Sequence, residues 1–588
     1  MKQNKKILAG LEQLSGTITR FPLTILLLVL IALINGIEIN NSFDQYSKLL
    51  FTFVLGVFIS LVSQVIYERF FDNSGIRKLL MAGTIIITAG YYFIISSKDI
   101  FTTVFTIRMG AVWFVLLIAF LWIPTIKSSF SFNESFLALF KAFFLAVFYS
   151  SVLFIGVSLI IMAIDLLIVT VNGDTIPHVA NLIFCIFATI YLLSNLPLFN
   201  YDKEGEVAQE QEIQVSVSKF LKNLISYVII PITAVFTLVL LLYVIMNITG
   251  KFWTDNMLEP MLVSYSITVI IVYLLASNIQ NNFANIFRNL FPKVLVPIVL
   301  FQTIASVLKI GEAGFTHGRY YAILFGVFAT IAGILFCFVP VKKNGLIAPI
   351  LIVLSLLSIV PPVDAFTVSR KSQIRRLEDT LMRNNMLQDG KLSPNTSIVE
   401  TDREIIISSV QYLNIMGYTE DIVWLSSYAN NKDFEKEFGF PQYDYISKDD
   451  NTIYLHRESN AVPITGYDIM LHTNLYFSPD EREIGNFVKD DRSYRLVLQN
   501  QADDKHSILL FNEENMELLA FDIQEIVDRA ITLHEEMESL TLEQASFTQE
   551  NDVARMTLVV ENIHINNYTG SMDEKYVDIN TYILVTLK

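Results

Sequence analysis

Six polar side chains stand where chemistry in or beside a membrane would need them: Asp165, Arg108, Glu312, Thr316, His317 and Arg319. Asp165 interrupts the apolar run 145–170, and an ionisable group at a bilayer centre costs about 2.5–3.5 kcal/mol, so it calls for a partner or a wet path. Read functionally it binds a proton or cation on a pathway; read structurally it ends a tilted span and is wetted by the loop at Asp174. Arg108 opens another apolar run, where its long side chain can snorkel toward the surface. A pairing of Arg108 with Asp165 serves equally as a gate or as a plain structural ion pair. Glu312, Thr316, His317 and Arg319 fall within eight residues that also hold Gly314 and Gly318, with Gly311 just before, and glycine frees the backbone to gather side chains. That loop reads either as an outside pocket for an anionic headgroup or small solute, with Arg319 as its charge, or as a turn whose charges lock two spans together.

The elements that carry these residues follow from composition. Of 588 residues 53% are apolar and 17% charged, with 44 Phe and 25 Tyr, a balance that excludes a disordered chain and an ordinary soluble enzyme. The charge is split: residues 1–365 hold 22 Lys and Arg against 18 Asp and Glu, whereas 366–588 hold 20 against 39. A hydrocarbon core about 30 Å thick needs roughly 20 apolar residues of helix. Eleven stretches meet or approach that length, near 21–37, 49–67, 79–97, 107–126, 145–170, 178–198, 224–246, 261–278, 294–310, 320–340 and 346–360. The last is short and bounded by Pro361 and Pro362, and without it the count is ten.

Cytoplasmic loops carry the Lys and Arg excess. Placing the N-terminus inside puts sixteen of the first 22 cations on that side and six outside, so eleven crossings place the acidic tail beyond the membrane. Twenty residues precede the first span and no small-x-small cleavage site follows it, which favours a retained anchor over a removed signal. The tail has no cysteine, since Cys185 and Cys337 both fall in spans, and must fold by packing alone. Its helices are expected near 369–386, with Ile374, Leu377 and Leu381 on one side and Arg370, Lys371, Arg375 and Arg376 beside lipid headgroups, and after a capping Asp402, with Ile406, Val410 and Leu413 inward. Strand patterns follow at 452–456, 494–498, 507–511, 518–521, 555–565 and 576–587, with a helix near 523–537.

Within the spans, Gly326, Ala329 and Gly333 make a small-residue stripe that admits a neighbouring helix, and Gln64 and Gln302 read as bonds between helices. No metal, cofactor or catalytic assignment is made. His456, His472, His506, His534 and His564 are scattered, and Asp449-Asp450, Asp490-Asp491 and Asp503-Asp504 read as turns rather than calcium loops. The acidic tail repels nucleic acid.

Glu312-Ala313-Gly314-Phe315-Thr316-His317-Gly318-Arg319-Tyr320-Tyr321, the run from Asp364 through Ala365-Phe366-Thr367 to Gln373 with Arg376-Leu377-Glu378, and Asn281-Asn282-Phe283 resemble a bacterial integral membrane protein family, domain of unknown function 4153. The resemblance covers roughly Ser218 to Lys391. It implies a bacterial cytoplasmic membrane and adds no substrate, cofactor or catalytic residue.

The expected architecture is thus a polytopic α-helical membrane bundle of about 11 transmembrane helices followed by a soluble α+β domain. Its parts are a first bundle over 1–198, an acidic cytoplasmic loop over 199–218, a second bundle over 219–365 and an acidic extracytoplasmic domain over 366–588. The expected protein is a multi-pass, non-enzymatic platform or signalling protein of the inner membrane. Besides the lipid bilayer, its tail meets an envelope protein or ligand. The alternative is a transporter or channel for a small solute or ion, with Asp165 and the 312–319 loop on the path. A membrane enzyme acting on lipid-linked substrates, using Glu312 or His317, is the least supported reading.

Overall fold

The computed structural model describes residues 14–41, 46–96, 102–128, 130–199, 216–247, 258–425, 428, 433–442, 452–458, 461–476, 482–501, 505–534, 539–567 and 575–588. Most of the acidic loop expected at 199–218, and the pairs Asp449-Asp450 and Asp503-Asp504, lie outside the described residues. Compactness divides the chain elsewhere than at residue 366, into Met1–Gly439 and Phe440–Lys588.

Among the described residues of the first unit, nine helices are long and apolar enough to cross a membrane. They are α1 (Pro22–Asn40), α2 (Ser47–Phe70), α3 (Ser74–Ser96), α4 (Thr103–Thr125), α5 (Phe132–Leu167), α6 (Thr175–Ser194), α7 (Lys219–Met246), α9 (Asn282–Leu308) and α10 (His317–Phe338). Two further apolar helices, α8 (Leu258–Ala276) and α11 (Ile347–Leu357), bring the set among the described residues to the eleven stretches read from sequence. The polar segments between them supply their starts. Ser131 and Glu134 form a reciprocal cap on α5, and the Asn281 side chain accepts the Ala284 amide at 2.8 Å to open α9.

Close packing in the bundle relies on missing side chains, as the small-residue stripe implies. A Cβ added at Gly326 would lie 2.0 Å from Thr303 Oγ1, and one at Gly333 would lie 2.8 Å from Val296 Cγ2, so α9 and α10 approach backbone to side chain. Gln302 Nε2 reaches the Ala322 carbonyl of α10 at 3.4 Å. In the other half, Gln64 donates to Glu68 and accepts from Arg77, within a polar knot of α2 and α3. Two amphipathic helices complete the unit, α12 (Ala365–Arg383) and α13 (Glu400–Ile415), with Leu377, Leu381, Ile406, Val410 and Leu413 fully buried. One detail differs from expectation. Helix α13 begins two residues before Asp402, whose carboxylate instead accepts from Asn384 and pairs with Arg383.

The second unit is β-rich. One sheet is ordered 469–476, 575–587, 554–567, 452–457 and 539–540, with 546–550 also pairing to 554–567. The other is a four-stranded antiparallel meander, 482–489, 492–501, 505–512 and 517–522, and one helix, Gln524–His534, follows it. Their apolar faces share a core that includes Leu455, Leu475, Ile508, Phe521, Ile563 and Ile583. The strand at 482–489 escapes a period-two reading because Gly485 sits at a bulge, where a Cβ would meet Leu471 at 2.5 Å.

Replacing Gly326 by Leu is expected to force α9 and α10 apart and to cost about 1–3 kcal/mol, the usual range for overpacking. Gly318→Ala, at the start of the same helix where an added Cβ meets nothing within 4 Å, is the control. Unfolding midpoints of the purified full chain in mild detergent should fall for the first variant only.

Candidate functional site

Five of the six side chains singled out from sequence lie in two places, and the structure separates them. Asp165 is near the far end of α5, a helix of 36 residues. By that point the helix has risen about 50 Å, well over the roughly 30 Å of a hydrocarbon core. The carboxylate is exposed and accepts the Val171 amide at 2.7 Å, closing the turn that follows the helix. It does not meet Arg108.

Arg108 instead donates through Nη2 to Asp364 Oδ2 at 2.7 Å. Asp364 is fully buried at the start of α12, while the guanidinium keeps 39% of its side-chain exposure and lies 5.1 Å over the Phe366 ring. Burial works against the Asp364 charge, but Thr367 and Arg108 outweigh it and hold the carboxyl below the usual carboxylate range. Its position at a helix N-terminus adds the favourable end of the backbone dipole.

The loop before α10 is fastened to α12 and α13 from several directions. Gly314 takes φ 71°, and a Cβ there would lie 2.6 Å from Gln373 Nε2, so the turn needs glycine on both counts. The Phe315 amide donates to Ser372 Oγ at 3.2 Å, and Gln373 Nε2 donates to the Phe315 carbonyl at 3.4 Å. Thr316 caps α10 by accepting the Arg319 amide. The His317 amide donates to the Tyr412 hydroxyl at 3.0 Å, its Nδ1 lies 3.0 Å from the same oxygen, and its ring stacks on Phe366. Tyr320 donates to the Val363 carbonyl at 2.7 Å.

Arg319 turns inward as a backbone clamp, donating to the Gly314 carbonyl at 2.7 Å and to the Lys309 carbonyl at 3.3 Å. Burial and the like charge of Arg319 both push the Arg376 guanidinium below its ordinary value. The Glu312 backbone belongs to a short turn of helix, Ile310–Ala313, and its side chain lies outside the described residues. Arg370, expected beside lipid headgroups, pairs with Asp421 at 3.1 Å and lies over Tyr418, whereas Lys371 and Arg375 are exposed.

The two strings that carry the family resemblance, 312–321 and 364–376, therefore meet in one joint. Sequence reasoning missed Asp364 and Tyr412 as members of it. The usable signal for Asp364 was an acidic residue just after Pro361 and Pro362 and just before an amphipathic helix; nothing local marked Tyr412. Elsewhere, His472 lies 3.0 Å from Glu561 and stacks on Tyr582 at the sheet surface. Among the described residues no three His, Cys, Asp or Glu side chains group as metal ligands would.

In comparison with known families, the family described as Domain of unknown function (DUF4153) matches residues 23–396. The match reaches back from the resembling stretch to include the first spans, and since it takes in more than half of the chain, the protein belongs to this family. No curated protein and no solved structure matches the chain.

Asp364→Asn removes the charge that Arg108 needs and is expected to cost about 1–3 kcal/mol, below the figure for a fully buried pair because Arg108 is partly solvated. Because the folded carboxyl titrates below its unfolded value, its contribution is complete above the unfolded pKa and is lost as pH falls through the folded one. Unfolding midpoints of the parent should therefore drop on acidification through the carboxylate range, and the variant should lose that part of the slope.

Proposed function

We propose that this member of the DUF4153 family is a non-enzymatic platform in a bacterial inner membrane, with the N-terminus in the cytoplasm and the C-terminal domain outside. In this reading the external domain binds an envelope protein or ligand. The observation that carries the reading is the joint between the bundle and the two amphipathic helices. Arg108 of α4 holds Asp364, the residue just before α12, the loop before α10 is pinned to Gln373 and Ser372, and Tyr412 of α13 holds His317. Such a joint ties helices that follow the last apolar segment to two separate helices of the bundle, α4 and α10. A packed polar network of this kind has few alternative arrangements, so a displacement of α12 or α13 would be passed to α4 and α10 rather than absorbed.

Sidedness is supported by the charge distribution, since most Lys and Arg of the first 365 residues fall in loops that would face the cytoplasm. A reporter fused after Lys588 that is active only outside the cytoplasm should be active, and one that fluoresces only in the cytosol should be dark. The reverse pattern removes the external domain from the proposal.

The binding role has its own measurement. Crosslinked capture of the full chain from intact cells in mild detergent is expected to retain a defined envelope component that a chain ending at Gly439 loses. Equal recovery by both chains, or ion flux in reconstituted vesicles that Asp165→Asn abolishes, would favour the transport reading instead.

A further inference from the structure

Between α4, α8, α10 and α11, with the first turn of α5 at one end, lies a cavity of about 570 Å³, within the range of roughly 300–1,000 Å³ typical of small-molecule sites. Its wall along α4 runs from Ile107 to Ile118, a helical rise of about 16 Å, or about half the thickness of a hydrocarbon core. The two ends differ. Near Ile107 the lining includes Tyr321 and Ser358, and Tyr321 lies in the field of both Arg108 and Asp364. At the other end are Phe132 and Ile347, and the remainder of the lining is almost wholly hydrocarbon.

Such a space does not stay filled with water, because an apolar wall gives water too few partners. Left empty, it forfeits dispersion contacts on every side. Within a bilayer the abundant molecule that fits an apolar slot half a membrane deep, with a charged pair near one end, is a lipid. A charge also stands at the correct end: Arg108 spends one nitrogen on Asp364 and remains partly solvated, so a second oxygen anion can approach the guanidinium.

We infer that this cavity holds one acyl chain of a bilayer phospholipid, its methyl end toward Phe132 and Ile347 and its phosphate beside the Arg108–Asp364 pair. The occupant completes the packing of α4 against α10 and α11 and sits next to the joint described above. The inference does not depend on the platform role, because a transporter or a receptor with these helices would hold the same lipid.

Gly110 supplies a way to close the site. It lines the cavity, and a Cβ added there meets nothing within 4 Å, so a large side chain enters open space rather than a neighbour and also removes a helix-weakening glycine. The full chain is reconstituted in phosphatidylglycerol vesicles containing a small fraction of phosphatidylglycerol that bears a diazirine on one acyl chain. Labelled peptides are then mapped by mass spectrometry.

With the diazirine near the ester, labels are expected on Ile107 and Tyr321; with it at the methyl end, on Phe132 and Ile347. Labelling should saturate as the tracer fraction rises. In Gly110→Phe it should fall about tenfold, while labelling of the exposed Leu159 and Ile160 on α5 stays constant. Ala111→Phe, at a neighbouring cavity position, is the second blocking variant, and whichever keeps the parental unfolding midpoint is used. Labels in the reverse order, or cavity labelling that rises linearly in step with Leu159 and survives both substitutions, would overturn the inference. The order of labels requires no variant, so the test stands even if neither substitution folds.

Discussion

Hydrocarbon offers no partner to a backbone N–H or C=O, and that single deprivation accounts for most of what the first unit looks like. Helices satisfy their own interiors, but each leaves carbonyls unpaired at its end. Threonine and serine hydroxyls inside the spans bond back to the preceding turn, as Thr88 does to Thr84 and Thr237 to Thr233. Carbonyls near helix ends are met by arginine. Arg20 donates to the carbonyls of Leu196 and Pro197, Arg77 to those of Thr19 and Arg20, Arg69 to Ile126, Arg288 to Ile279, and Arg319 to Gly314. A guanidinium suits this work because it brings several donors in a fixed plane and its charge complements the negative end of a helix dipole.

Arg20 also takes a carboxylate, as Arg108 does, and the difference between the two pairs is informative. Arg20 grips Glu68 with two nitrogens at 2.8 and 2.7 Å while its side chain and that of Glu68 are both largely buried, which ties the segment before α1 to α2 and to the segment after α6. Arg108 meets Asp364 through one nitrogen and stays partly solvated. The first pair is fully committed to holding helices. The second closes a joint and leaves part of its guanidinium exposed.

The joint gives the irregular polar strings of this chain a structural role among spans that are otherwise generic hydrocarbon. Apolar positions tolerate exchange among Leu, Ile, Val and Phe with modest cost as long as volume is kept. Gly314 tolerates far less, because it combines a positive φ with a neighbour 2.6 Å from where its Cβ would be. Asp364 and Ser372 are held by partners far away in sequence, so their identity is fixed by chemistry rather than by hydropathy. The match over residues 23–396 ends near the hairpin after α12 and excludes the β-rich unit.

Hydropathy alone located all eleven apolar helices and the β-rich character of the last part of the chain, because burial in lipid or in a sheet core imposes a period or a length that any window of residues displays. The small-residue stripe on α10 was legible for the same reason: close helix approach requires absent side chains at helical spacing. What the one-dimensional pattern lacked was pairing. Arg108 and Asp165 look like partners when only their depth in the membrane is considered, yet α5 rises far enough to carry Asp165 past the hydrocarbon, and Arg108 finds Asp364 across 256 residues of chain. Tyr412 meets His317 across 95 residues with no local sign of either contact. Element type is set by neighbours within a few turns, whereas the site is set by which helix ends come together, and only tertiary packing makes that choice.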